Sequence, residues 1–289
     1  MRAGMLIHRM TEDKSKQPRQ IQAVQNSTEI IDALSELDKA GITEVANETE
    51  LSKTTVYNHL NTLQDQGYVI KIGETYKLSL YPLFLGKSVQ QKHPVYRAGK
   101  SIIEDLAEDT SQYAHLMVEQ NGFGVYLYKV RGDQAVEDNV PVGHHDLLHH
   151  SAAGKAIMSQ LPREYVDEII SNYGLPKLSE NTITDRDALY AELDDIAQQG
   201  YSLNLEEEVK GINAISVPIN VENDPVTAAI SLSGTAGNMT QERMTGELLD
   251  KVQNASNTVE IDINQRWDAV RTGTRSYTIS PRKMGTVED

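Results

Sequence analysis

Apolar positions along this chain change period several times, and each change marks an element. Ile21, Val24, Ile30, Ile31, Leu34 and Leu37 fall on one helical stripe and predict a first helix. Gly41-Ile-Thr-Glu-Val-Ala-Asn-Glu-Thr predicts a short second helix, capped by Thr43, with Val45 and the small Ala46 turned inward. Leu51-Ser-Lys-Thr-Thr-Val-Tyr-Asn-His-Leu-Asn-Thr-Leu-Gln-Asp-Gln-Gly predicts a third. Ser52 is a good N-cap, because its hydroxyl can accept from an unpaired amide of the first turn. Val56, Leu60 and Leu63 repeat on one face, and Gly67 closes the helix. The period then falls to two. Residues 68–72 and 75–80 flank a Gly73-Glu74 turn and predict a hairpin. Two short helices joined by a tight turn and followed by a hairpin make a winged helix-turn-helix.

Further along, Pro82 opens a helix and Pro94 breaks it. Another runs from about Val95 to Glu108, with Ile102, Ile103 and Leu106 inward. His115-Leu-Met-Val-Glu and Gly124-Val-Tyr-Leu-Tyr-Lys-Val predict a hairpin around Asn121-Gly122, and a polar loop reaches His150. Helices are expected from Ser151, from Pro162 to Tyr173, and from Arg186 to Gln199, the last capped by Thr184 or Asp185 and ended by Gly200. Strands are expected at 201–205, 212–219 and 226–233, the third after an Asn223-Asp224 turn, and a final helix from Thr240 to about Asn264. The fold class is α+β. Its expected parts are a polar tail (1–20), the winged helix-turn-helix (21–81), a helical linker (82–94), a sensor-like domain with a mixed or antiparallel sheet and flanking helices (95–265), and a flexible tail (266–289).

The polar face of the third helix gives the first domain its expected work. A helix turns roughly 100° per residue, so Thr54, Asn58 and Asn61 lie opposite the apolar stripe, flanked by Thr55 and Tyr57. That face has no carboxylate and offers hydroxyls, amides and a phenol, which suit base edges and phosphates in a major groove. Thr54, Asn58 and Asn61 are expected to read bases. Ser52, Lys53, Thr55, Tyr57 and the wing lysines Lys71 and Lys77 are expected to meet phosphates. A helical connection that holds two such heads at a fixed separation suits a dimer.

Composition adds a tension. The chain has 289 residues, long enough for two cores, and a net charge of −15 from 42 acidic and 27 basic residues. Between Ser27 and Leu80 nine carboxylates face four lysines, whereas a DNA-binding domain ordinarily carries a basic footprint. A halophilic origin resolves this, since molar salt shortens the screening length to about 3 Å. A winged helix that binds protein rather than DNA is the alternative. Cysteine is absent, which excludes disulfides, thiolate catalysis and Cys-ligated zinc. No apolar run approaches the roughly 18 residues of a membrane span, and the apolar run at the amino end is too short for a signal peptide. A cytoplasmic location without membrane contact is expected.

Several stretches, in order, resemble the IclR family of transcriptional regulators: Ile42-Thr-Glu-Val-Ala, Leu51-Ser-Lys-Thr-Thr-Val-Tyr-Asn-His-Leu-Asn-Thr-Leu, Leu148-His-His-Ser-Ala-Ala-Gly-Lys-Ala, Thr182-Ile-Thr-Asp and Ala229-Ile-Ser-Leu-Ser-Gly. The resemblance implies a GAF-like carboxy-terminal domain that binds a small effector, and a homodimer or homotetramer on a partly palindromic operator. It places the effector pocket on His149, Ala152, Ala153, Gly154, Asn204, Ala214, Ser231 and Ser233. Amides at the start of the helix after Ser151 favour an anion, and Ser231 and Ser233 face the same side of one strand. Members that bind small keto acids tend to have Asp at the position of Asn204 and Cys at that of Ala214, so an organic acid of another kind, or a sugar derivative, is expected. Glu50 stands where the family's turn usually has Gly, and a left-handed backbone there costs about 1–2 kcal/mol. No cofactor is expected.

Two other chemistries are open to these residues. His144, His145, His149 and His150 lie close together, and His145 with His149 has the i, i+4 spacing of a metal pair, with Asp146 as a further ligand. The simpler reading is a loop without metal. Ser151 with His149 or Lys155 could form a nucleophile pair, but no nucleophile elbow surrounds Ser151. A helix cap at Ser151, with Lys155 against a carboxylate or solvent, is expected instead, and no enzyme activity.

Overall fold

The computed structural model describes residues 20–135, 140–220 and 227–267, and every structural statement below concerns these. The expected amino-terminal tail up to residue 19, the Asn223-Asp224 turn and residues 268–289 of the expected carboxy-terminal tail lie outside them. The chain divides into two compact units, with the boundary between Val89 and Gln90.

The first unit has helices α1 (Gln22–Leu37), α2 (Ile42–Thr49) and α3 (Lys53–Asp65), then strands β1 (Val69–Ile72) and β2 (Thr75–Leu78). The apolar stripes converge on one core, in which Ile30, Leu34, Val45, Val56, Leu60 and Tyr76 are buried. Burying each such side chain contributes roughly 1.5–3 kcal/mol, which holds three short helices that would not persist alone. β1 and β2 pair from Val69↔Leu78 to Ile72↔Thr75, leaving Gly73-Glu74 as the turn, with Gly73 at φ 61°. Ala40 adds a bridge to Tyr76, so the hairpin is tied to the loop before α2.

Two expectations fail here. Thr43 lies inside α2 and caps nothing. The N-cap is Gly41, whose amide donates to Glu44 Oε2 at 2.7 Å. The carboxylate three residues on does the work that the hydroxyl was expected to do. The α1 stripe is buried only in its middle, at Ile30 and Leu34, while Ile21, Val24 and Leu37 are 68%, 58% and 36% exposed.

Helix α4 (Tyr81–Lys92) crosses the boundary, and α5 (Pro94–Thr110) begins with Pro94 in its first turn. The second unit is built on a six-stranded antiparallel sheet of β3 (Tyr113–Gln120), β4 (Phe123–Arg131), β5 (His145–Leu147), β6 (Ser202–Leu205), β7 (Ile212–Ile219) and β8 (Ala228–Thr235), in spatial order β5-β4-β3-β8-β7-β6. Asn121 and Gly122, both at positive φ, make the two-residue β3–β4 turn. Helices α6 (Ala152–Met158), α7 (Arg163–Tyr173) and α8 (Arg186–Gln199) follow β5. After β8 come α9 (Gln241–Arg243), a π-turn (Met244–Leu248) and α10 (Leu249–Trp267).

Each face of the sheet has its own core. Leu116, Ile215, Ile230 and Leu232 pack with α5 and α10, whereas Met117, Tyr126 and Ala229 pack with α6, α7 and α8. The alternation of side chains along each strand makes this division. The expected polar loop before His150 contains β5 and a 3₁₀ turn (Leu148–His150). A three-residue edge strand, His145-Asp146-Leu147, has no alternation to read. The expected continuous last helix is broken where Gly246 leaves helical geometry (φ −108°, ψ −107°), and α10 then runs on to Trp267, into the stretch expected as tail.

Candidate functional site

Two groups of residues stand out, one in each unit. In the first, Ser52 caps α3: its Oγ accepts from Thr55 N at 3.1 Å and lies 2.8 Å from Thr55 Oγ1. The cap sets the direction of the helix. Burial of Val56, Leu60 and Leu63 then turns Lys53, Thr54, Tyr57 and Asn58 to solvent, with Asn61 half-buried at the edge. The turn before the cap is left-handed at Glu50 (φ 55°, ψ 13°). In the hairpin Lys71 is exposed, with Nζ 5.4 Å from the centroid of the Tyr76 ring, and Lys77 is half-buried.

In the second unit the positions expected to bind an effector are buried, apart from the half-buried Ser233, and most lie around the sheet face that meets α6. Ser231 and Ser233 project from β8, and Ser233 Oγ is 2.7 Å from His115 Nε2 on β3. Ala214 pairs with Ser233 on one side and with Asn204 on the other. Asn204 is engaged at both ends. Its Nδ2 donates to His150 O at 2.8 Å and its Oδ1 accepts from Glu207 N at 2.9 Å. Gly154 N donates to Ser151 Oγ at 3.0 Å, so this amide serves the cap of α6 and is not available to an anion as expected. Gly154 itself is required by space, because a Cβ there would stand 2.0 Å from Leu148 O. His149 is 2% exposed and its Nε2 meets Pro176 O at 3.0 Å. Burial, then the neighbouring His150, push its pKa down to about 4, so it is a neutral donor that ties the 3₁₀ turn to the loop after α7.

The same face holds side chains that the sequence reading missed. Tyr113 stacks on His115 at 5.6 Å, and the Tyr126 ring also lies 5.6 Å from His115. Lys129 Nζ sits 5.3 Å and 5.2 Å from the Tyr113 and Tyr126 rings and donates to Val140 O at 2.8 Å. The available signal was alternation: Tyr113, His115 and Met117 are two apart on one strand. Their pairing with Ser231 and Ser233 needs the β3–β8 register, which joins residues more than a hundred positions apart.

The alternative chemistries resolve into separate roles. Ser151 caps α6, and Lys155, 1% exposed, donates from Nζ to Glu207 Oε1 at 2.6 Å and Glu192 Oε1 at 2.9 Å. The histidines do not converge. His145 Nδ1 lies 3.0 Å from Gly143 O, while His150 Nε2 pairs with Asp146 Oδ1 at 3.0 Å. The i, i+4 pair is therefore Asp146 with His150, not His145 with His149.

Residues 23–71 match the IclR helix-turn-helix domain, and residues 87–261 match the bacterial transcriptional regulator IclR C-terminal domain. The second match alone covers more than half of the chain. The chain belongs to the IclR family of transcriptional regulators. Among its IclR-family relatives is the "Probable HTH-type transcriptional regulator ArcR" of Halobacterium salinarum, 32% identical over 85% of this chain and 95% of that protein. The HTH-type transcriptional regulator KdgR of Escherichia coli is 30% identical over 80% of this chain and 89% of its own length. The crystal structure of Thermotoga maritima IclR has the same fold, with a TM-score of 0.71 at 24% identity over 84% of this chain and 99% of that one. An IclR homolog from Microbacterium hydrocarbonoxydans, crystallised with 4-hydroxybenzoate, gives a TM-score of 0.72 at 18% identity over 84% of this chain and 99% of that one. This chain is thus an IclR-family regulator with a DNA-binding helix-turn-helix domain and an effector-binding carboxy-terminal domain.

Proposed function

We propose that the outer face of α3 reads a pseudo-palindromic operator and that a small organic acid or sugar derivative, bound on the α6 face of the sheet, controls that binding. The observation that carries the first half is an exposed helix face without carboxylates in an otherwise acidic unit. Thr54, Asn58 and Asn61 contact bases, and Ser52, Lys53, Thr55, Tyr57, Lys71 and Lys77 contact phosphates. Dimers supply the two heads. In support, α4 and the residue before it leave Leu80, Leu83, Phe84 and Val89 59–81% exposed, an apolar stripe of the kind that partners cover. The protein acts in the cytoplasm and catalyses no reaction. Its acidity, and a relative in Halobacterium salinarum, support a cell with molar internal salt.

For the effector, Ser231, Ser233, His115 and the tyrosines Tyr113 and Tyr126 offer hydroxyl and imidazole groups beside aromatic faces, which suits a carboxylate on a ring or on a hydroxylated chain. His149, Ala152, Ala153, Gly154, Asn204 and Ala214 shape and fix this region. A route to the first unit's linker begins at Gln90, near the end of α4. Its Nε2 donates to Leu127 O at 2.6 Å, next to Tyr126 on β4. A ligand that shifts β4 thereby biases α4, provided it binds the two states with different affinity.

The test is a thermal-shift screen of aromatic acids, 4-hydroxybenzoate included, and sugar acids. A hit should raise the melting temperature of the wild type, and Ser231→Ala and Ser233→Ala should each weaken its binding about tenfold, one hydrogen bond's worth. Hits unaffected by both substitutions would place the effector elsewhere, and turnover of a hit would overturn the non-catalytic reading.

A further inference from the structure

We infer that Asp146, His150 and Glu208 form a site for one divalent transition-metal ion, of the zinc or manganese class, at the junction of β5 with the β6–β7 connection. Each residue brings one ligand atom, and the three atoms all lie within 4.8 Å of one another. One pair of these atoms, His150 Nε2 and Asp146 Oδ1, is 3.0 Å apart. Two ligands bonded at about 2.1 Å to a shared ion stand roughly 3–3.4 Å apart in tetrahedral or octahedral geometry, which the His150–Asp146 pair already meets. Two carboxylates and an imidazole suit a borderline ion.

The site is also built rather than assembled from mobile surface chains. His150 is 2% exposed. Asp146 is fixed in β5 opposite Gly124, and its Oδ1 also accepts from Leu147 N at 2.9 Å. Asn204 ties together the two backbone segments that carry His150 and Glu208, bonding His150 O on one side and Glu207 N, one residue before Glu208, on the other. Asn204 is a positioning residue: it sets the distance between the turn that carries His150 and the turn that carries Glu208. Three protein ligands leave coordination positions open to water, as in sites that exchange their ion or take a further ligand. The inference is independent of what binds at Ser231 and Ser233.

The full-length protein, stripped with EDTA and returned to chelator-free buffer at its working salt, is titrated with Zn²⁺ and separately with Mn²⁺. Calorimetry and metal analysis should give one ion per chain, with a raised melting temperature, and bound Mn²⁺ should lose its free-ion electron paramagnetic resonance signal. Asn204→Ala should weaken binding roughly 10–100-fold, as loss of an outer-shell partner does. Glu208→Gln and Asp146→Asn should weaken it further, while their metal-free melting temperatures stay near that of the wild type. A His144→Ala, His145→Ala double variant should bind as the wild type does. The inference is overturned if the wild type takes up neither ion stoichiometrically. It is equally overturned if Glu208→Gln and Asp146→Asn bind like the wild type, or if the His144, His145 variant alone loses the ion.

Discussion

Asn58 and Lys53 are both exposed on α3, yet their chemistry assigns them different effects. An amide can bond adenine at two atoms, so Asn58→Ala should cost about 1–3 kcal/mol of discrimination at one operator position and relax the preference there. A lysine on a phosphate carries no sequence information. Lys53→Ala or Lys71→Ala should weaken all sequences alike and reduce the salt slope by about one. Binding of each variant to a set of single-base operator mutants separates the two, and an unchanged preference in Asn58→Ala would reject the assigned face. Glu50 invites a stability test. Its left-handed backbone costs an L side chain about 1–2 kcal/mol, and glycine's greater freedom in the unfolded chain returns part of that. Glu50→Gly should therefore stabilise the first unit by about 0.5–1 kcal/mol in urea melts. No change, or a loss, would mean that the carboxylate makes a compensating contact. The caps Ser52 and Ser151, and Asp185 as one of two candidates with Thr184, were legible in the sequence because capping is a matter of a few neighbouring residues. Thr43 was misread for the opposite reason: Glu44 competes for the same helix start, and the longer side chain wins.

Elements were legible wherever one period persisted over several residues. All three helices of the first unit, its hairpin, α5, α7, α8 and the strands β3, β4, β6, β7 and β8 follow from the apolar pattern to within a few residues. β5 did not, because it is short, polar and lies on the sheet edge. The break at Gly246 was also hidden, since one glycine in a helical pattern is ordinarily tolerated. Half of the sheet face beside the effector positions stayed out of view, because β3 meets β8 only through tertiary pairing. The element that connects this face to the linker makes a specific prediction. Gln90→Leu removes the bond to Leu127 O while keeping the side chain's bulk. An effector should still raise the melting temperature of this variant and should no longer change its operator affinity. Full retention of effector control would show that the signal leaves the sheet by another route.

At the scale of the whole molecule, charge and function pull in opposite directions. A chain with net charge −15 meets a polyanion, so the proposed recognition relies on short contacts from α3 and the wing rather than on attraction at long range. Shortening the screening length toward about 3 Å removes most of the opposing field while leaving hydrogen bonds to bases in place. Binding should therefore survive, or improve, as salt rises through a range in which an ordinary basic domain loses affinity steeply. The direct measurement is footprinting and equilibrium binding of the purified full-length protein on DNA from its own upstream region, titrated from low to molar KCl. The account predicts saturable binding at high salt, protecting two related half-sites as a dimer would. Absence of binding at every salt concentration, with and without an effector from the thermal-shift screen, would contradict it.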